Sequence, residues 1–98
     1  MFTNERFTTC GIEAAIPPIT QLALWQLIRA RRMEGAELDQ LQVFELSNDQ
    51  GTQKITHAQE QPPYQTDAVL LGVEPVVTAK ICIIDDGDHT TMMLADER

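Results

Sequence analysis

Only two of the 98 residues are cysteines, Cys10 and Cys82. A pair so few and so far apart is no disulfide framework for a small secreted domain, and each lies in a β-like run, so both read as reduced core thiols. Long apolar runs are missing as well, the longest being stretches of the kind Ile81 to Ile84, and nothing in the chain can span a membrane. The opening "MFTNERF" has neither the basic nor the apolar region of a secretory signal, which predicts a cytoplasmic protein. Basic residues are scarce, seven against fifteen acidic for a net charge of −8, and this argues against nucleic-acid binding, which depends on neutralising phosphates. There is no Gly-rich phosphate cradle, no Ser in a Gly-flanked elbow, and no His or basic residue at a telling spacing from either Cys. No cofactor is implied.

What is present suits a single domain over residues 1–98, with 43% hydrophobic residues and a modest core. The charge is uneven. Up to Met33 there are four Arg against Glu5 and Glu13; from Glu34 onward the balance is strongly acidic. Ordinary solubility explains this, and so does a basic helix end that meets an acidic surface.

"RFTTCGI" reads as a short strand, closed by Pro17-Pro18, where a new element must start. "PITQLALWQLIRARRME" predicts a helix from Pro18 to about Glu34. Gly35 stands ready as a left-handed cap, and Arg29, Arg31 and Arg32 crowd the end where the dipole favours cations. At helical spacing, Ile19, Ala23, Leu24, Leu27, Ile28 and Ala30 form the apolar arc, with Leu22 and Trp25 on the polar side. "QLQVFELS" has apolar groups on both parities and predicts an interior strand; "TQKITHAQE" after it looks like a polar edge strand completing a hairpin. Residues 61–75 fit a strand, a helical turn or an apolar loop. "VVTAKICIID" and "HTTMMLADE" predict a terminal hairpin turning at Asp86-Gly87, with Ala79, Ile81, Ile83, Met92 and Leu94 on the helix-facing side. Lys80, Cys82, Ile84, His89, Thr91 and Met93 line a half-apolar outer face, the kind that another strand, loop or subunit covers.

Two constellations carry chemistry. Asp85, Asp88 and His89 surround Gly87 in "IDDGDHTTM", and acidic residues near a Gly are the material of hard-cation loops. The EF-hand spacing fails, because Cys82, Ile84 and Met93 occupy ligand positions, so a structural turn is the favoured reading and a metal site or acid-base centre the alternative, with His57 as a further member. The second constellation is a ridge of Leu22, Trp25, Arg29 and Arg32 along the helix, Trp25 and Arg29 at i and i+4 so that a guanidinium stacks near the indole. Trp and Arg are hot-spot residues, and core burial of Trp25 is the competing reading.

"MFTNERFTTCGI", "LWQLI", "LQVFEL", "QKITHAQEQPPY" and above all "AKICIIDDGDHTTMMLADE" resemble an uncharacterised family of short cytosolic proteins from low-GC Gram-positive bacteria and their phages, known as a domain of unknown function. The resemblance covers nearly the whole chain except residues 34–38 and 65–75. It implies a bacterial intracellular single-domain protein, and no activity, cofactor or catalytic residue.

The expectation is an α+β domain: one long helix packed on a mostly antiparallel sheet of about five strands, ending in a β-hairpin. Its expected role is a non-enzymatic interaction or regulatory module, a homo-oligomer or a binder of a protein partner. A small metal-dependent or acid-base enzyme is the alternative, and an acidic nucleic-acid mimic a weaker one.

Overall fold

The computed structural model describes all 98 residues. Strand β1 (Glu5–Thr8) leads into a short helix α1 (Cys10–Ala15) and the long helix α2 (Pro18–Met33). Strands β2 (Leu41–Asp49), β3 (Thr52–Gln59), β4 (Tyr64–Leu70), β5 (Ala79–Asp85) and β6 (His89–Leu94) follow, and a 3-10 turn at Ala95–Glu97 ends the chain. They form one sheet in the order β1-β6-β5-β2-β3-β4, antiparallel throughout except for β1, which pairs parallel with β6. The expected α+β architecture with its long helix and terminal hairpin is present. The sheet has six strands rather than about five, because residues 61–75 contribute β4.

No helix is long and apolar enough to cross a membrane. The helical layer covers one sheet face, where Phe44, Leu46, Ile55, Ile81, Ile83 and Met92 pack with Leu24, Ile28 and Ile12. Those strand residues sit at alternate positions, as the pleat requires for a sheet buried on one side. Phe2, at positive φ, is driven into the same core and is 2% exposed.

Four local expectations are corrected. The run "RFTTCGI" is strand only as far as Thr8: Thr9 caps α1, its Oγ1 accepting the Ile12 N–H at 3.2 Å, and Cys10 is therefore helical and exposed, while Cys82 is buried. The buried arc of α2 is rotated toward Thr20 and Gln21, which are buried, and away from Ile19, which is 55% exposed. The segment expected at the edge, β3, is interior, between β2 and β4, with Gln53, His57 and Gln59 buried on the helix side. Finally, the terminal hairpin pairs Ile81 with Leu94 and Ile83 with Met92, and the Asp86 N–H donates to the His89 carbonyl at 3.1 Å, so the turn is Gly87-Asp88 rather than Asp86-Gly87. A shift of two residues keeps parity, and the expected division of the hairpin into two faces survives it.

The 71–78 connection runs from β4 past the end of β3 and β2 to reach β5. Buried Gln53 holds it in place: its Oε1 accepts the Val77 N–H at 2.8 Å and its Nε2 donates to the Val77 carbonyl at 3.1 Å.

Candidate functional site

The acidic turn is built as a backbone clamp. Asp85 ends β5 on the helix side and is 6% exposed. Its Oδ2 accepts the Phe2 N–H at 2.7 Å, and its Oδ1 accepts the Asn4 side-chain amide at 3.0 Å and the Gly87 N–H at 2.8 Å. These donors, the Phe2 N–H first, hold the carboxyl below the usual carboxylate range. Asn4 also accepts the Thr90 hydroxyl, so β5, β6 and the N-terminal segment meet at this one carboxylate. Asp86 faces outward, accepts the Asp88 and His89 N–H groups at 3.0 Å each, and lies 3.3 Å from His89 Nε2.

Asp85, Asp88 and His89 are thus separated. Asp85 has both oxygens engaged inside, Asp88 is exposed on the turn, and His89 stands on the outer face with its ring edge-on to Phe7 at 5.2 Å. His57 lies on the opposite face with β5 and β2 between its strand and β6. The side chains named for a metal or acid-base centre are therefore not brought together, and no group of three His, Cys, Asp or Glu side chains converges elsewhere.

The helix ridge is divided as well. Leu22 is 50% exposed and Arg29 is exposed, but Trp25 is half-buried against the core, and Arg6 of β1, not Arg29, places its guanidinium over the indole at 4.7 Å. Arg32 donates from Nη1 to the Phe2 carbonyl at 3.0 Å. Two of the four residues thus pin the N-terminal segment, and two remain on the surface.

Sequence reading missed a polar network beneath the C-terminal half of α2. Gln42 Nε2 donates to the Gln59 Oε1 at 2.8 Å and the Asp39 carbonyl at 2.7 Å, while Gln59 Nε2 donates to the carbonyls of Glu37 and Pro62. Gln42 Oε1 is then an acceptor, so His57 Nε2, 2.6 Å away, carries the proton. His57 stacks on Phe44 at 4.3 Å and meets Tyr64 edge-on, and the Arg31 guanidinium lies over the Tyr64 ring at 3.4 Å. Burial, reinforced by Arg31, lowers the His57 pKa to about 4, so its imidazole is neutral near pH 7. None of the surface clefts reaches it. The network organises the core; the signal that pointed to it was the alternation of Gln53, His57 and Gln59 around Ile55.

On the face of the sheet away from the helices Phe7 is exposed, Leu41, Val43, Ile84, Thr91 and Met93 are half-buried and Cys82 is buried, and the register arranges these side chains in rows. Phe7, Thr91, Ile84 and Leu41 are lateral neighbours across β1, β6, β5 and β2. Met93, Cys82, Val43 and Ala58 form the next row, across β6, β5, β2 and β3. Beyond them come Lys80, Glu45, Thr56 and Asp67, a row of mixed charge. Two neutral, mostly apolar rows with a charged border thus lie on a chain of net charge −8.

The acidic residues after Met33 are partly engaged within the chain: Asp39 accepts the Leu41 and Gln61 N–H groups, Asp67 the Thr56 hydroxyl, and Glu97 the Thr9 hydroxyl and the Leu94 N–H.

The chain matches, over residues 5–97, the family described as "Staphylococcal protein of unknown function (DUF960)". No curated protein matches. Among solved structures, it is similar to the "Crystal structure of the protein of unknown function from Enterococcus faecalis", with a TM-score of 0.82 and 24% identity over 97% of this chain and 91% of that one. At that identity the likeness concerns the fold alone. Because the family match extends from β1 to the final turn, the chain belongs to the staphylococcal DUF960 family of unknown function.

Proposed function

We propose that this protein is a non-catalytic interaction module, acting by self-association or by binding another protein, and that the sheet face away from the helices is its working surface. The observation that carries this reading is the pair of apolar rows from Phe7 to Leu41 and from Met93 to Ala58. In a two-layer domain the helices bury one face, and apolar groups on the other gain by being covered. Phe7, 45% exposed, is the anchor that a partner would enclose.

A photo-crosslinking residue placed at position 7 or 91 tests it in cells of the native host. The expected result is a discrete adduct from those positions, absent from a Leu22 control on α2 and lost when Phe7→Glu is combined with the probe at 91. Adducts of equal yield from Leu22, or none from either outer-face position, overturn the assignment.

A further inference from the structure

The sheet ends in two different edges. β1 is four residues long, lies beside α1 and has Arg6 turned onto Trp25, whereas β4 runs for seven residues with no proline, lysine or arginine between Tyr64 and Leu71. Proteins ordinarily blunt such an edge with a charge, a proline, a bulge or a covering segment. The charge available to β4 is Asp67, and it is turned back onto its own sheet: Oδ1 accepts the Thr56 hydroxyl at 2.9 Å and Oδ2 lies 3.8 Å from Lys54 Nζ. Its repulsion is thereby compensated from inside. The 71–78 connection leaves β4 toward β5, and next to the edge Val69 is 57% exposed and Leu71 84% exposed.

We infer that β4 is the docking edge for a second copy of this chain, the two β4 strands pairing antiparallel about a two-fold axis through Ala68. An open edge accepts an extended strand by its main-chain groups. Charge identifies the strand. The chain as a whole carries −8, while residues 64–73 hold a single carboxylate that Lys54 already pairs with, so two copies meet little like-charge repulsion along this edge. The register follows from the same residue. An axis at Asp67 gives the longest overlap but sets the two Asp67 side chains directly opposite, which is unfavourable. Moving the axis to Ala68 is the smallest shift that separates them toward the apolar end, and it preserves the two faces because paired residues keep the same parity. Asp67 then faces Val69 of the second copy and Thr66 faces Leu70, so exposed Val69 gains a cross-strand neighbour while Leu71, in the turn after β4, lies just beyond the ladder. This edge is distinct from the face assigned above, and either assignment stands or falls alone.

Sedimentation from micromolar to millimolar protein, paired with hydrogen exchange, tests the inference. The parent is expected to dimerise, with β4 amides slowing as concentration rises. Val69→Glu sets two carboxylates against the two Asp67 across the axis and is expected to weaken the dimer by about tenfold or more, while within the monomer the new Glu faces Lys54 and the fold is kept. Val69→Lys places a cation opposite Asp67 of the second copy and is expected to retain or tighten the dimer. A parent that stays monomeric, β4 exchange that ignores concentration, or a dimer that answers to Phe7→Glu and not to the sign of residue 69, overturns it.

Discussion

The backbone N–H of Phe2 donates to the Asp85 carboxylate across a sequence separation of 83 residues, at 2.7 Å and out of solvent. That bond closes the N-terminal segment over the core, with Arg32 holding the Phe2 carbonyl from the other side. Asp85→Ala leaves the Phe2, Asn4 and Gly87 donors without their acceptor and is expected to lower unfolding stability by about 2 to 4 kcal/mol in urea titration. Phe2→Ala is expected to cost about 3 kcal/mol through the cavity it leaves.

His57 and Asp85 separate the acid response of the protein into two windows. The folded pKa of His57, about 4, is below its unfolded value of 6.5, so the unfolded chain binds the proton first. Its contribution is complete above pH 6.5 and declines toward pH 4, by about 3 kcal/mol in all. Asp85 also has a depressed folded pKa, and its contribution, present above the unfolded carboxylate value, is lost only as pH falls through the lower folded one. Stability curves of His57→Leu are expected to be flatter between about pH 6.5 and 4 than those of the parent, with the acid limb below that unchanged.

Trp25 and Arg29 are expected to part company under mutation. Trp25→Ala removes a ring packed on the core and under the Arg6 guanidinium, at a cost of about 2 kcal/mol, whereas exposed Arg29→Ala stays within about 0.5 kcal/mol. Thermal melts of the two single variants decide whether the ridge acts as one unit.

Gly87 has φ +101, where a side chain is strained although nothing lies within 4 Å of its added Cβ. Gly87→Ala is therefore expected to destabilise by about 1 to 2 kcal/mol for backbone reasons alone. Hydrogen exchange at Asp86, whose N–H closes the turn, reports the loosening locally.

The parts of this fold that were legible in the sequence were those written in local chemistry. Pro18 and Gly35 bound α2, and the alternation from Ala79 to Leu94 gave both faces of the terminal hairpin; the missed register cost nothing there, since a two-residue slip preserves parity. Polarity misled the reading of β3. Gln53, His57 and Gln59 look like solvent-facing residues, yet each is buried with its partners supplied by Val77, Gln42 and the Glu37 and Pro62 carbonyls. The pairing of β1 with β6 had no local signal, because a parallel neighbour is chosen by tertiary packing. The turn drew attention as a site for its acidic composition, and Asp85 proved to have a structural partner 83 positions away.

The N-terminal segment and the residues after β6 fasten to the same hairpin, β5-β6. Thr9 donates its N–H to the Met92 carbonyl and its hydroxyl to Glu97, while Phe2 is held at the turn end of β5 in the same hairpin. Order around β1 is thus conditional on β6 and the turn that follows it. A chain cut before β6 keeps the β2-β3-β4 meander, β5 and α2 but has no strand for β1, and Phe2 keeps only Asp85 and Arg32 to hold it. Loss of a dozen C-terminal residues therefore frays the protein at both extremities at once.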